Sequence, residues 1–179
     1  MKKILLITAL LISLTSCAAT PRISPKKRGI DPEFKPYIQE YKFIIGKGYE
    51  SKFKKLSMNF ANLSPGVLGT CYWLLNGEYE IEINKNWWYN EYTNFIDKKF
   101  VSYHELEHCI KHRLHSDRKK KVEDIVDFWE EILYQVGIIS KPGYLEDGCP
   151  ASIMHSVIFS FSCQIKHYDY YIDEIRNTK

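Results

Sequence analysis

The chain contains no C-x-x-C pair, so its cysteines lack the spacing of a thiolate zinc site. Charge of neither sign dominates: 25 Lys and Arg stand against 22 Asp and Glu, a net +3, which gives no reason to expect a nucleic-acid or membrane-surface partner. There is no internal repeat or low-complexity tract, and the apolar run from Ile4 to Leu14 is too short to cross a bilayer. No cysteine lies between Cys17 and Cys71, which argues against latency imposed by a pro-segment thiolate on a metal. Histidine is missing altogether before position 104.

What is present begins at the N-terminus. Met1-Lys2-Lys3 and the apolar run that follows have the charged and hydrophobic regions of a secretory signal peptide, and Leu14-Thr15-Ser16-Cys17 resembles the lipobox of bacterial lipoproteins. That resemblance implies removal of residues 1–16, an acyl lipid on Cys17 and attachment to the bacterial cell envelope. Ala18 carries no inner-membrane retention signal of the Asp type, so the outer membrane is expected where the cell has one. Residues 17–33, with Pro21, Pro25, Lys26, Lys27, Arg28 and Pro32, read as a lipid-anchored flexible tether, and 34–179 as one domain. Once Cys17 is lipidated, Cys71, Cys109, Cys149 and Cys163 remain, an even number in a compartment where disulfides persist. Cys71 on a strand and Cys109 on a helix stand where a bridge could pin helix to sheet, leaving Cys149 for Cys163, but the sequence itself allows three pairings.

Hydrophobic periodicity predicts an α+β domain. Tyr37, Tyr41, Ile44 and Ile45 recur at helical spacing over 34–46. Leu56, Met58 and Phe60 alternate with polar residues as a strand, ended by Ser64-Pro65-Gly66. A second strand begins near Val67, and Asn76-Gly77 before Tyr79-Glu80-Ile81-Glu82-Ile83 predicts a type I′ hairpin with Tyr79, Ile81 and Ile83 inward and both glutamates in water. The aromatic cluster Trp87, Trp88, Tyr89 and Tyr92 is read as core where sheet meets helix. A helix over about 97–112 buries Phe100, Tyr103, Leu106 and Ile110. Another is expected over about 120–137, then loop and turn over 143–154, and a closing helix over about 156–176.

The chemistry is concentrated in His104-Glu105-Leu106-Glu107-His108. H-E-x-x-H on a helix places two imidazoles on one face to share a zinc ion, with the glutamate beside them as a general base. Four of the six histidines, His104, His108, His112 and His115, fall in this one stretch. A catalytic zinc needs a third protein ligand. His112 continues the i, i+4 series, but the helix turns about 80° between His104 and His112 and points it away. His115 lies far enough past His108 for the helix to end and the chain to return. Glu123, with Asp127 one turn later as its supporting partner, offers a carboxylate from the next helix.

The string HELEHCIKHRLH, with VLGTCYW and YEIEIN before it and CPASIMH after it, resembles small bacterial metzincin-like zinc metallopeptidases of lipoprotein or secreted form. The resemblance covers about 67–155. It implies a small mixed sheet whose β-hairpin packs on an active-site helix, followed by further C-terminal helices. It also implies one catalytic Zn2+ held by His104, His108 and His115, Glu105 as the catalytic base, and Met154 of Ser152-Ile153-Met154-His155 as the Met-turn residue. Arg113 matches a recurrent position. Such an enzyme is expected to be a monomer acting on a peptide or protein, with strand 79–83 as the edge that binds extended substrate. The chain departs from the pattern in Glu107, where glycine is usual, in having no glycine at 111, in a third histidine one residue late, and in Ser156 where some metzincins place a tyrosine. Stabilisation of the oxyanion then falls to His155 or a C-terminal tyrosine. Two other readings stand beside this one: a gluzincin-like peptidase with Glu123 as third ligand, and a catalytically inactive zinc-binding envelope lipoprotein.

Overall fold

The computed structural model describes residues 29–116, 143–157 and 159–178. The lipobox with Cys17, most of the expected tether, and the expected helix with Glu123 and Asp127 lie outside the described residues. A 3-10 turn, Pro32–Phe34, capped by the Asp31 side chain, leads into α1 (Lys35–Ile45), which Gly46 ends with a positive φ of 71°. A short α2 (Glu50–Phe53) follows, then β1 (Leu56–Ala61), β2 (Gly69–Trp73), β3 (Tyr79–Asn84), α3 (Lys85–Trp88) and the long α4 (Phe95–Lys111). The chain closes with α5 (Phe161–Lys166) and α6 (Tyr168–Asn177). This is a mixed α/β arrangement. Among the described residues no helix is long and apolar enough to cross a membrane.

The sheet order is β1-β3-β2, with β1 parallel and β2 antiparallel to β3. Two sequence expectations are corrected here. Strand 79–83 is central rather than an edge; β2 has the outer position on its side. Glu80 is buried instead of solvated, because as part of the central strand it is flanked by Ser57 on one side and Tyr72 on the other. The hairpin turn also differs. A type I′ turn needs positive φ at both central residues, yet Gly77 has φ 75° and Asn76 is not in that region. The turn instead closes by Gly77 N–H to Leu74 O at 2.9 Å, with the Asn76 side chain accepting from Glu78 N–H.

Packing begins before residue 34. Gly29 O accepts from Met58 N–H, Asp31 N–H donates to Met58 O, and Ile30 bridges Met58. The last of the expected tether is thus joined to β1. The core is rich in aromatic edges: Phe34, Tyr37 and Phe60 surround Trp88, which is buried, while Tyr89 and Tyr92 stay exposed. Only part of that aromatic cluster is therefore core. The single closing helix expected over 156–176 is two helices that meet at His167. The 143–150 turn holds the first in place through the Cys149–Cys163 disulfide and through Asp147, which pairs with Lys166 and with His167 at the helix end.

Helix α4 is positioned from both ends and from beneath. Asn94 and Asp97 form a reciprocal capping box at its start. Phe100, Tyr103, Leu106 and Ile110 are all buried. At its end, Lys52 Nζ reaches Ile110 O at 2.6 Å and Trp73 Nε1 reaches His108 O at 3.3 Å, supplying donors to carbonyls with no partner inside the helix. The Cys71–Cys109 disulfide ties its last turn to β2. These cysteines are 38 residues apart, a separation for which cross-linking the unfolded chain contributes about 4 kcal/mol. Replacing both, Cys71→Ser with Cys109→Ser, is expected to cost about 2–5 kcal/mol in denaturant unfolding monitored by circular dichroism. A loss below about 1 kcal/mol would show that packing alone seats α4 on the sheet.

Candidate metal centre

Three imidazoles converge above the C-terminal half of α4. His104 and His108 are one turn apart, and the chain then has to return to supply a third ring. It does so at His112, which takes the left-handed conformation (φ 59°, ψ 30°), the conformation glycine usually supplies at a helix end. A non-glycine residue there costs about 1–2 kcal/mol. The His112 ring offsets part of this by packing on Trp73, at 4.4 Å between centroids, and on Tyr79. Glu107 O accepts from both His112 N–H and Arg113 N–H, which locks the reversal. His112 thus faces away from the other three histidines, and His115 swings in.

The Nε2 atoms of His104, His108 and His115 lie 3.0, 3.1 and 3.2 Å from one another. Tetrahedral zinc with bonds of about 2.0–2.1 Å sets its ligand atoms about 3.3 Å apart, so the triangle fits such an ion closely. The proton positions decide what the triangle is. His104 Nδ1 is 2.7 Å from Ile153 O, and His108 Nδ1 is 2.6 Å from Arg113 O. Carbonyl oxygens only accept, so both Nδ1 atoms carry the proton, which leaves Nε2 as the atom through which each ring can ligate when neutral. A cation placed among the three Nε2 atoms would be coordinated by them. Burial, with the neighbouring His108, pushes His104 down to about 3, so the ring is neutral and able to ligate at physiological pH.

Glu105 is buried on the adjoining side of the helix, and no hydrogen-bond partner meets its Oε2. Burial pushes its carboxyl up to about 8, and a divalent charge nearby favours the ionised form. The carboxyl has room only because residue 69 of β2 is glycine. A Cβ there would stand 2.6 Å from Glu105 Cγ and 2.7 Å from Oε1. The two residues form one wall of an open cleft of about 350 Å³, which His104, His115 and His155 also line. Its other walls are mainly apolar, from Val67, Leu68, Phe100, Ile153 and Phe159.

The turn expected to carry the Met-turn residue is tied to this centre. His155 N–H closes it on Ser152 O, Met154 is fully buried, and Met154 O accepts from Ser116 N–H beside His115. Of the groups expected near an oxyanion, His155 lines the cleft. The C-terminal tyrosines are engaged elsewhere: Tyr170 and Tyr171 donate to Ala151 O and Pro150 O, and Tyr168 OH lies 3.2 Å from Lys99 Nζ.

No known protein family, curated protein or solved structure matches this chain.

Three residues around the centre have roles that the sequence motifs do not show. Glu107, a departure from the usual glycine, is wholly buried and accepts from Tyr41 OH at 2.5 Å and from Arg113 Nη1 at 2.8 Å, with Lys111 Nζ at 3.4 Å. Its spacing was a signal: it follows Tyr103 by four and precedes Ile110 by three, on the buried stripe, where an acid must be paired. Glu174 on α6 and Gly69 gave no such sign. A second group able to gather around an ion, Asp147, Cys149 and His167, is occupied by the Cys149–Cys163 disulfide and by Asp147 pairing with Lys166 and His167.

The contact between residues 69 and 105 is testable by a mutant cycle. Gly69→Ala should destabilise the protein by about 1–3 kcal/mol through overpacking. In a Glu105→Ala background the same change should cost less than half as much, measured by thermal unfolding. Equal costs in both backgrounds would show that Glu105 does not rest against β2.

Proposed function

We propose that this chain is a zinc-dependent endopeptidase tethered to the bacterial cell envelope, resembling the metzincins in its ligand set. The observation that carries the reading is the convergence of three Nε2 atoms, two with their protons committed to carbonyls, beside a buried and unpartnered Glu105 carboxylate oxygen in an open cleft. Zinc held by His104, His108 and His115 would supply a Lewis acid that acidifies water and polarises a peptide carbonyl. Glu105 takes the proton of the attacking water and passes it to the departing amine. Met154 and its turn support His104 from below through the Ile153 carbonyl.

The cleft indicates the class of peptide. Val67, Leu68, Phe100, Ile153 and Phe159 favour a bulky apolar side chain next to the scissile bond. The outer edge of β2, which runs from Gly69 beside Glu105, offers backbone groups to an extended substrate, the role first expected of strand 79–83. Attachment through lipid on Cys17 would keep the domain outside the cytoplasm, where its two disulfides persist.

The test is hydrolysis of a quenched peptide library by the full chain in detergent. Cleavage beside bulky apolar residues, abolished by chelator and restored by zinc, is expected. Glu105→Gln should lower kcat by about 10²–10⁴-fold with one zinc still bound. Undiminished turnover in that variant would remove Glu105 from the reaction, and a zinc-loaded parent that cleaves nothing would leave a binding lipoprotein.

A further inference from the structure

The two carbonyls that orient His104 and His108 are themselves held by one buried charge network. Arg113 Nη1 donates to Glu107 Oε2 at 2.8 Å, and Nη2 donates to Glu174 Oε1. Glu174 then accepts from Ser152 Oγ at 2.5 Å through Oε1 and from Ile153 N–H at 2.8 Å through Oε2. Thus Arg113, whose carbonyl holds His108, grips through its side chain the glutamate that holds Ile153, whose carbonyl holds His104. Glu107 anchors the other end of the guanidinium to α4, assisted by Tyr41 and Lys111.

The charges balance, with Arg113 and Lys111 against Glu107 and Glu174. The Glu107 side chain is fully enclosed, and those of Arg113 and Glu174 are 16% exposed. A guanidinium suits this position because its planar fork can serve two carboxylates at once, which an ammonium group cannot do with the same geometry. Two carboxylates at this depth would be costly without it.

We infer that Arg113 and Glu174 are positioning residues for the metal: together they fix the two carbonyls that set the tautomer and aim of His104 and His108, and so tune the affinity of the three-histidine site. This rests on the zinc reading above but not on peptidase activity. It also gives Glu107 a purpose at a position where glycine is usual: the acid is the α4 end of the clamp. Removing the clamp leaves the ligands in place and loosens their orientation, an effect of about 10–100-fold in metal affinity for such outer partners.

The experiment is zinc affinity of the full chain in detergent, by competition with a chromophoric chelator, with the visible spectrum of the cobalt-substituted protein recorded alongside. Glu174→Ala should bind zinc about 10–100-fold more weakly than the parent and broaden the cobalt bands. The near-isosteric Glu174→Gln, which keeps an oxygen for Ser152 or Ile153, should lose less than Glu174→Ala but still more than threefold. Arg113→Lys should weaken binding although positive charge is retained. Ile175→Val, a buried change on the neighbouring position of α6, serves as the stability control and should leave affinity unchanged. If Glu174→Ala fails to fold, the comparison of Glu174→Gln and Arg113→Lys with the control decides. Affinities within threefold of the parent in those two variants would overturn the inference while leaving the zinc site intact. A parent chain that binds no zinc would overturn both.

Discussion

Two hydrogen bonds, from His104 Nδ1 to Ile153 O and from His108 Nδ1 to Arg113 O, are the constraint on which the geometry of the three-histidine centre depends. Each fixes a tautomer, and a fixed tautomer makes a cluster of histidines into a set of converging lone pairs. The acceptors come from distant parts of the chain, one from the reversal after α4 and the other from the 152–155 turn. The fold must therefore bring three segments to one point. It does so by seating α4 on β2 and β3, covalently through Cys71–Cys109, and by packing α6 behind the turn through Glu174.

Three features that are unfavourable taken singly lie around this centre. His112 is the only described non-glycine residue with positive φ, Glu105 is buried without a partner for one oxygen, and Glu107 lies fully enclosed. Each is unfavourable taken alone. The first lets the chain return to His115; the second leaves an oxygen available at the cleft; the third anchors the guanidinium behind the histidines. Features that lower stability and share a single site are the pattern expected of a functional centre.

Sequence legibility followed the range of the interactions. The H-E-x-x-H helix was readable because its face is set by local geometry, and the buried stripe of Phe100, Tyr103, Leu106 and Ile110 followed from the same period. His115 was one of three candidates for the third position. The structure brings its Nε2 within 3.0–3.2 Å of the other two, while Glu123 lies outside the described residues. Strand order was not readable: YEIEIN alternates like a half-solvated strand, and nothing local records that it comes back parallel to β1 and so lies at the centre of the sheet. The turn at Asn76-Gly77 missed type I′ because the hydrogen bonds of Leu74 and Glu78 select a longer turn. The partnership of Glu107, Arg113 and Glu174 spans 61 residues between the last two, a distance at which one sequence carries no signal.

The central claim is that His104, His108 and His115 hold one zinc ion. Zinc-edge X-ray absorption on the full chain in detergent, beside its His115→Ala variant, tests it most directly, because multiple scattering from imidazole rings counts the histidines bound. The account predicts one zinc per chain with three imidazole ligands at about 2.0–2.1 Å, and loss of tight binding in the variant. Two imidazoles and a protein carboxylate in the parent, with zinc retained by the variant, would contradict it.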